Sequence, residues 1–243
     1  MQPIAVLSAL SQEQHGLIEL LQRPRKVSHA GRDFWLGELY GRSVVLCVSK
    51  IGKVSAAIAS AALIERFDVG RILFTGVAGG LGTGVNVGDM VVATDFIQHD
   101  LDVSPLFARY EVPLYGQARF ACHAALSALL YQAAVAALSS ASAVPGASVH
   151  KGLIASGDRF VSGASESAAL RAALTSVGHE VLAVEMEGAA VAQVCHDYGV
   201  AFAAVRTISD RADDSAHVDF PTFMDQVVSR YAHAIVENFL RLL

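Results

Sequence analysis

Short apolar runs alternate with helix-period segments along almost the whole 243-residue chain, and that alternation restricts it to the α/β class. Strand-like runs are read at Pro3–Leu10, Phe34–Tyr40, Ser43–Ser49, Arg71–Thr75, Asp89–Asp95, Lys151–Ala155, Val181–Met186 and Ala201–Ile208. The second and third read as a hairpin broken at Gly41-Arg42. Helical patterning covers Val54–Phe67, Cys122–Ser139, Ser165–Leu174, Glu187–Tyr198 and a long amphipathic Thr222–Leu242, and a polar helix start is read at Ser11. Strands separated by helices predict a mixed, largely parallel sheet covered on both faces. With no internal repeat and no linker-like stretch, a single domain over residues 1–243 is the economical architecture.

Composition removes several function classes. Hydrophobic residues make up 53% of the chain and mean hydropathy is +0.44, yet no stretch of 18 apolar residues runs uninterrupted, so a spanning helix is not expected. The start, Met-Gln-Pro-Ile-Ala-Val-Leu, lacks the basic segment of a signal peptide, which leaves a cytoplasmic address as the default. Net charge is −5 with no basic stripe, which argues against a nucleic-acid partner. Cys47, Cys122 and Cys195 are odd in number and widely spaced, as expected of buried free thiols. The nine histidines are scattered without ligand spacing, so no metal site is expected.

In open α/β sheets functional groups collect where strands exit the sheet at their carboxyl ends. Five exits stand out: Glu13 after the first strand, Gly76–Gly80, Gly157–Val161, Glu185–Glu187 and Ser209-Asp210. Three carry carboxylates beside apolar runs, where a charge must be paired, hydrogen-bonded or protonated. Taken singly, each has an ordinary explanation. Glu187 fits as an acid near a helix N-terminus, only one of Glu185 and Glu187 need be functional, and Asp210 fits as a turn residue. Gly76–Gly80 could be a tight turn, a close approach to a planar ligand or a phosphate cradle, but it lacks GxGxxG and the Walker lysine. Together, the acids belong to separate strands of one sheet and would meet at one rim.

Five ordered segments carry a family resemblance: Ser49-Lys50-Ile51-Gly52-Lys53-Val54, Thr75–Leu81, Ser156-Gly157-Asp158-Arg159-Phe160, Val184–Glu187 and Ile208-Ser209-Asp210. With these the chain resembles, from Ala5 to about Leu240, the 5′-methylthioadenosine/S-adenosylhomocysteine nucleosidases of the purine nucleoside phosphorylase superfamily. The resemblance implies a three-layer α/β/α domain around a mixed, partly barrel-like sheet, and hydrolysis of an adenine nucleoside at its base–sugar bond. It places the leaving-group acid on Asp210, the ribose-hydroxyl ligand on Glu187 and the water activator on Glu13. Met186 would pack against the sugar, Phe160 would stack on the purine, and the backbone of Val161 would read its edge. Phe220 would line the 5′ pocket, with Ile51, Val77, Ala78, Gly79, Glu185 and Ser209 as further substrate contacts. Substrate and water suffice, without metal or redox cofactor. A homodimer is implied, with Val103 reaching into the neighbouring subunit's site.

The assigned chemistry is coherent. Breaking an N-glycosidic bond builds positive charge on the sugar and negative charge on the base, so an acid at the base and a carboxylate near the sugar both act most strongly in the transition state. The chain also departs from the family. The acidic cluster is reduced to Ser11-Gln12-Glu13, Val77 replaces a frequent serine, and Leu101–Gly116 and Ser139–Ser148 differ in length or composition. Phosphorylases of the superfamily need an anion site built from an arginine and a serine; at those places stand Phe74 and Val77, which favours water as nucleophile. Other readings are a hydrolase for futalosine or adenosylhopane, a phosphorylase, or a non-catalytic nucleoside-binding protein.

Overall fold

The structure, a computed structural model, describes residues 2–14, 16–139, 144–216, 220, 223 and 228–243. Its strands are β1 (Ile4–Ser8), β2 (Gln22–His29), β3 (Arg32–Leu39), β4 (Arg42–Val48), β5 (Arg71–Gly80), β6 (Met90–Gln98), β7 (Arg119–Ala121), β8 (Val149–Ser156), β9 (Val181–Glu185) and β10 (Ala201–Asp210). The helices are α1 (Lys53–Phe67), α2 (Ala124–Leu138), α3 (Ala164–Thr175), α4 (Gly188–Tyr198) and α5 (Ser229–Leu242), with a short 3₁₀ helix at Ser11–Gln14. The start expected for the last helix, Thr222, lies outside the described residues, as does part of the Ser139–Ser148 connection.

The strands form one sheet in the order β10-β6-β8-β9-β5-β1-β4-β3-β2, with β7 beside β6 and β10 also paired to β5. That last pairing closes β5, β9, β8, β6 and β10 into a barrel, from which β1, β4, β3 and β2 extend as an open wing. The sheet is mixed as expected but less parallel than predicted. The barrel closes through two antiparallel seams, β5 with β9 and β6 with β10, and the wing ends in the antiparallel meander β2–β3–β4.

Side-chain alternation explains the layers. Ala5 and Leu7 of β1 join a core with Ala56, Ala59 and Leu63 of α1 and Ala189, Val191 and Cys195 of α4. Ile4 and Val6, one step out of phase, face Leu126, Leu130 and Ala133 of α2 and Tyr231, Ile235 and Phe239 of α5. A strand buried on both faces needs an almost continuous apolar run, successive residues facing opposite cores, and the small and aliphatic composition supplies it. All three cysteines are buried and free. Among the described residues no helix is long and apolar enough to cross a membrane.

Gly76–Gly80, read from the sequence as a turn or loop after a strand, is instead the second half of β5. It pairs with β10 in register from Gly76 against Arg206 to Ala78 against Ile208, then with a one-residue slip at Gly79 against Asp210, and Gly79 and Gly80 pair with β9. The glycines serve close approach. A Cβ on Gly76 would run into the guanidinium of Arg206 and lie 2.8 Å from Glu13 Oε1.

Candidate active site

A cavity of about 490 Å³ opens where β1, β5, β9 and β10 release their chains. Its wall is mainly apolar, and Glu13, Glu187 and Asp210 reach it from three separate exits. All three acids are buried, at 1%, 5% and 2% exposure, which is where unpaired carboxylates are costly and functional ones are found.

Glu13 sits on the 3₁₀ helix that follows β1. Its carboxylate accepts the backbone N–H groups of Ala9 (2.7 Å), Leu10 (2.9 Å) and Val77 (3.1 Å). Burial pushes its pKa above the ordinary glutamate value, while Arg206 and those three N–H donors pull the other way. An upward shift makes the ionised carboxylate a stronger proton acceptor.

The two acids of Val184–Glu187 have different tasks. Glu185 ends β9, and its carboxylate reaches the start of α4, accepting Glu187 N–H at 3.2 Å and Gly188 N–H at 2.9 Å, the favourable place for an anion on a helix. It is also bonded to the Ser156 hydroxyl and the Arg206 guanidinium. The helix-terminus role that the sequence made available to Glu187 is therefore filled by Glu185, and Glu187 is left to face the cavity. Glu187 keeps one backbone donor, Gly52 N–H at 2.9 Å, and lies 3.9 Å from Arg206. Burial and the neighbouring Glu185 charge push its pKa up to about 8.

That shift has a consequence for stability. A glutamate whose native pKa lies above its unfolded value of 4.5 stabilises the fold fully below that value and loses the contribution as pH rises through about 8. Between pH 5 and 8.5 the Tm of the wild-type protein is expected to fall about 5 °C more than that of Glu187→Gln. Parallel Tm–pH profiles for the two proteins would contradict a raised pKa at this position.

Asp210 owes its direction to a β-bulge. The register of β10 against β5 slips between Ile208 and Asp210, so Ser209 is the extra residue, and such bulges commonly re-aim a side chain beside an active site. The Ser209 hydroxyl donates to Asp210 Oδ2 at 2.8 Å and Ala212 N–H donates to Oδ1 at 2.8 Å, so the carboxyl is held from two sides.

Among the other expected contacts, Ile51, Val77, Ala78, Gly79, Phe160, Val161, Met186, Ser209 and Phe220 all line the cavity with Glu185. Phe160, 44% exposed, meets Phe220 edge to face at 5.8 Å and forms an aromatic corner at the mouth. Val103 does not line this cavity; it lies in the loop between β6 and β7. Sequence reasoning missed Ala9, Leu10, Arg159 and Val184 as lining residues. It also missed Arg206, which is fully buried, sits 3.9 Å over the Phe74 ring and pairs with Glu185 and Glu187. The signal was present as an arginine inside the apolar strand Ala201–Asp210. Phe74 thus serves as the platform for a cation paired with carboxylates.

Known proteins resemble this chain over almost its whole length. The family model of the phosphorylase superfamily matches residues 3–241. A 5′-methylthioadenosine/S-adenosylhomocysteine nucleosidase of Bacillus thuringiensis (strain Al Hakam) is 38% identical over 239 residues, covering 96% of each chain. The nucleosidase of the same name from Neisseria meningitidis, solved in complex with methylthio-immucillin-A, superposes with a TM-score of 0.90 at 38% identity and full coverage of both chains. Futalosine hydrolase of Helicobacter pylori strain 26695 superposes with a TM-score of 0.86 at 30% identity, covering 100% of this chain and 98% of its own. With its barrel, its buried carboxylates and these relatives, the chain belongs to the phosphorylase superfamily and, within it, to the 5′-methylthioadenosine/S-adenosylhomocysteine nucleosidases, a family of N-glycosyl hydrolases.

Proposed function

We propose that this protein hydrolyses the N-glycosidic bond of 5′-methylthioadenosine and S-adenosylhomocysteine, releasing adenine and the 5-thio-substituted ribose. The observation that carries the proposal is the convergence of Glu13, Glu187 and Asp210 on one largely apolar cavity. Binding alone would not need three buried acids. Water attacks C1′ as the C1′–N9 bond breaks; Glu13 takes the water's proton, and Asp210 delivers its own to N7 of the departing adenine. Glu187 binds the ribose 2′- and 3′-hydroxyls and favours the positive charge that develops on the sugar. Two carboxyl groups on opposite sides of the scissile bond follow the general logic of inverting glycosidases. Phe160 stacks on the purine, the Val161 backbone reads its edge, Met186 packs against the ribose and Phe220 lines the 5′ pocket. The functional unit is a homodimer in which Val103 approaches the partner's cavity.

Purified protein is expected to release adenine from methylthioadenosine at the same rate with and without phosphate. Phosphate-dependent formation of a sugar 1-phosphate would overturn the hydrolase reading. The similarity to futalosine hydrolase supports a second reading with futalosine as substrate. Cleavage of futalosine together with inactivity on methylthioadenosine would select it.

A further inference from the structure

The loop that carries Phe160 leaves β8, and Glu187 follows β9, yet consecutive backbone N–H groups at the start of α1 hold both. Gly52 N–H donates to Glu187 Oε1 at 2.9 Å, and Lys53 N–H donates to Asp158 Oδ1 at 2.7 Å. The second contact is part of a closed ring. Asp158 N–H donates to Asp100 Oδ2 at 2.9 Å, and Asp100 Oδ1 accepts from Lys53 Nζ at 2.5 Å. The same ammonium donates to Gln98 Oε1 at 3.1 Å. Lys53 is thereby tied through both main chain and side chain to the segments around Asp100 and Asp158. Gly52 makes the arrangement sterically feasible: its φ is +96°, and an added Cβ would lie 3.1 Å from Asp158 Oδ1.

We propose that Asp158 is a positioning residue that couples the loop Gly157–Val161 to the Glu187 carboxylate through the Gly52-Lys53 backbone, so that seating the base and orienting the sugar ligand are one event. Asp158 itself does not line the cavity, whereas its neighbours Arg159, Phe160 and Val161 do. A loosened loop would leave Lys53 N–H without its acceptor and let the start of α1 turn. Gly52 N–H would then no longer be aimed at Glu187. The terms base and sugar rest on the nucleosidase reading above; the mechanical coupling does not.

The test compares full-length wild type, Asp158→Ala and Asp158→Asn by hydrogen exchange and by steady-state adenine release. Asp158 is exposed, so neither change disturbs the core. In Asp158→Ala, exchange is expected to rise in residues 50–54 as well as in 157–161. KM should increase and kcat decrease by about tenfold each, the scale at which small misplacements act. Asp158→Asn keeps an oxygen acceptor for Lys53 N–H and should return both constants to within about threefold of wild type. If Asp158→Ala fails to fold, Asp158→Ser, too short to span to Lys53, is read in the same way. Faster exchange confined to 157–161, an unchanged kcat, or no rescue by Asn would each overturn the coupling. If the wild-type protein releases no adenine, the nucleosidase reading fails, and exchange at residues 50–54 still decides the coupling.

Discussion

Asp210→Asn is expected to lower the rate of adenine release by a factor of about 10²–10⁴, the range that a positioned general acid supplies. The substitution is nearly isosteric. Asn Oδ1 can still accept from Ala212 N–H, and the bulge at Ser209 is set by backbone register rather than by the carboxyl. What is lost is a proton that can be handed to the leaving base. Adenine without that proton departs as an anion, so the barrier rises in the transition state while substrate binding changes little. The expected signature is therefore a fall in kcat with KM within a few-fold of wild type. A variant that keeps most of its turnover would remove Asp210 from the leaving-group role and direct attention to another donor in the cavity.

Arg206→Met is expected to produce the largest loss of stability, about 3–5 kcal/mol near neutral pH, because deleting one partner strands the other charges in the interior. Glu185 and Glu187 pair with this guanidinium, and its charge also acts on Glu13. Methionine fills much of the space above Phe74, so lost packing is the smaller part. The pH dependence identifies the cause. Without the cation, whose charge lowers both, the buried carboxyls of Glu13 and Glu187 lie still further above their unfolded values, so stability falls as pH rises. Urea midpoints should show a clearly smaller defect at pH 5 than at pH 8. An equal defect at both values would mean that packing and not charge governs the site.

Much of the fold was legible because most strands have an apolar face to bury. β1 alternates between two cores, and α1, α2 and α4 show their small-residue stripes directly. β2 was missed because nearly all of it is exposed, so it has no hydrophobic period to read. The three-residue β7 is too short to have one. Gly76–Gly80 was left undecided, outside its strand, for a related reason: glycine reports nothing about which face is buried, and here the missing side chain of Gly76 makes room for Arg206 and Glu13. At the site, the acids and most lining residues could be named from the sequence and the family resemblance. That Glu185 rather than Glu187 takes the helix-terminus role could not. It depends on which carboxylate turns back onto the first N–H groups of α4, a matter of side-chain direction that spacing does not encode. Arg206 was visible as an oddity in β10, but its partners come from elsewhere in the chain.

Closing five strands into a barrel also decides where this protein is exposed to mispairing. Among the described residues the strands of the barrel end are paired on both sides, whereas β2 at the opposite end is paired on one side alone. An open edge of this kind is a template on which a second chain can add a strand. Arg23, Pro24, Arg25 and Lys26 occupy that edge, combining like charges with a residue that cannot complete a hydrogen-bond ladder. The residues least informative about catalysis are thus the ones expected to oppose such pairing, and a search for more soluble or less soluble variants has its natural starting point there.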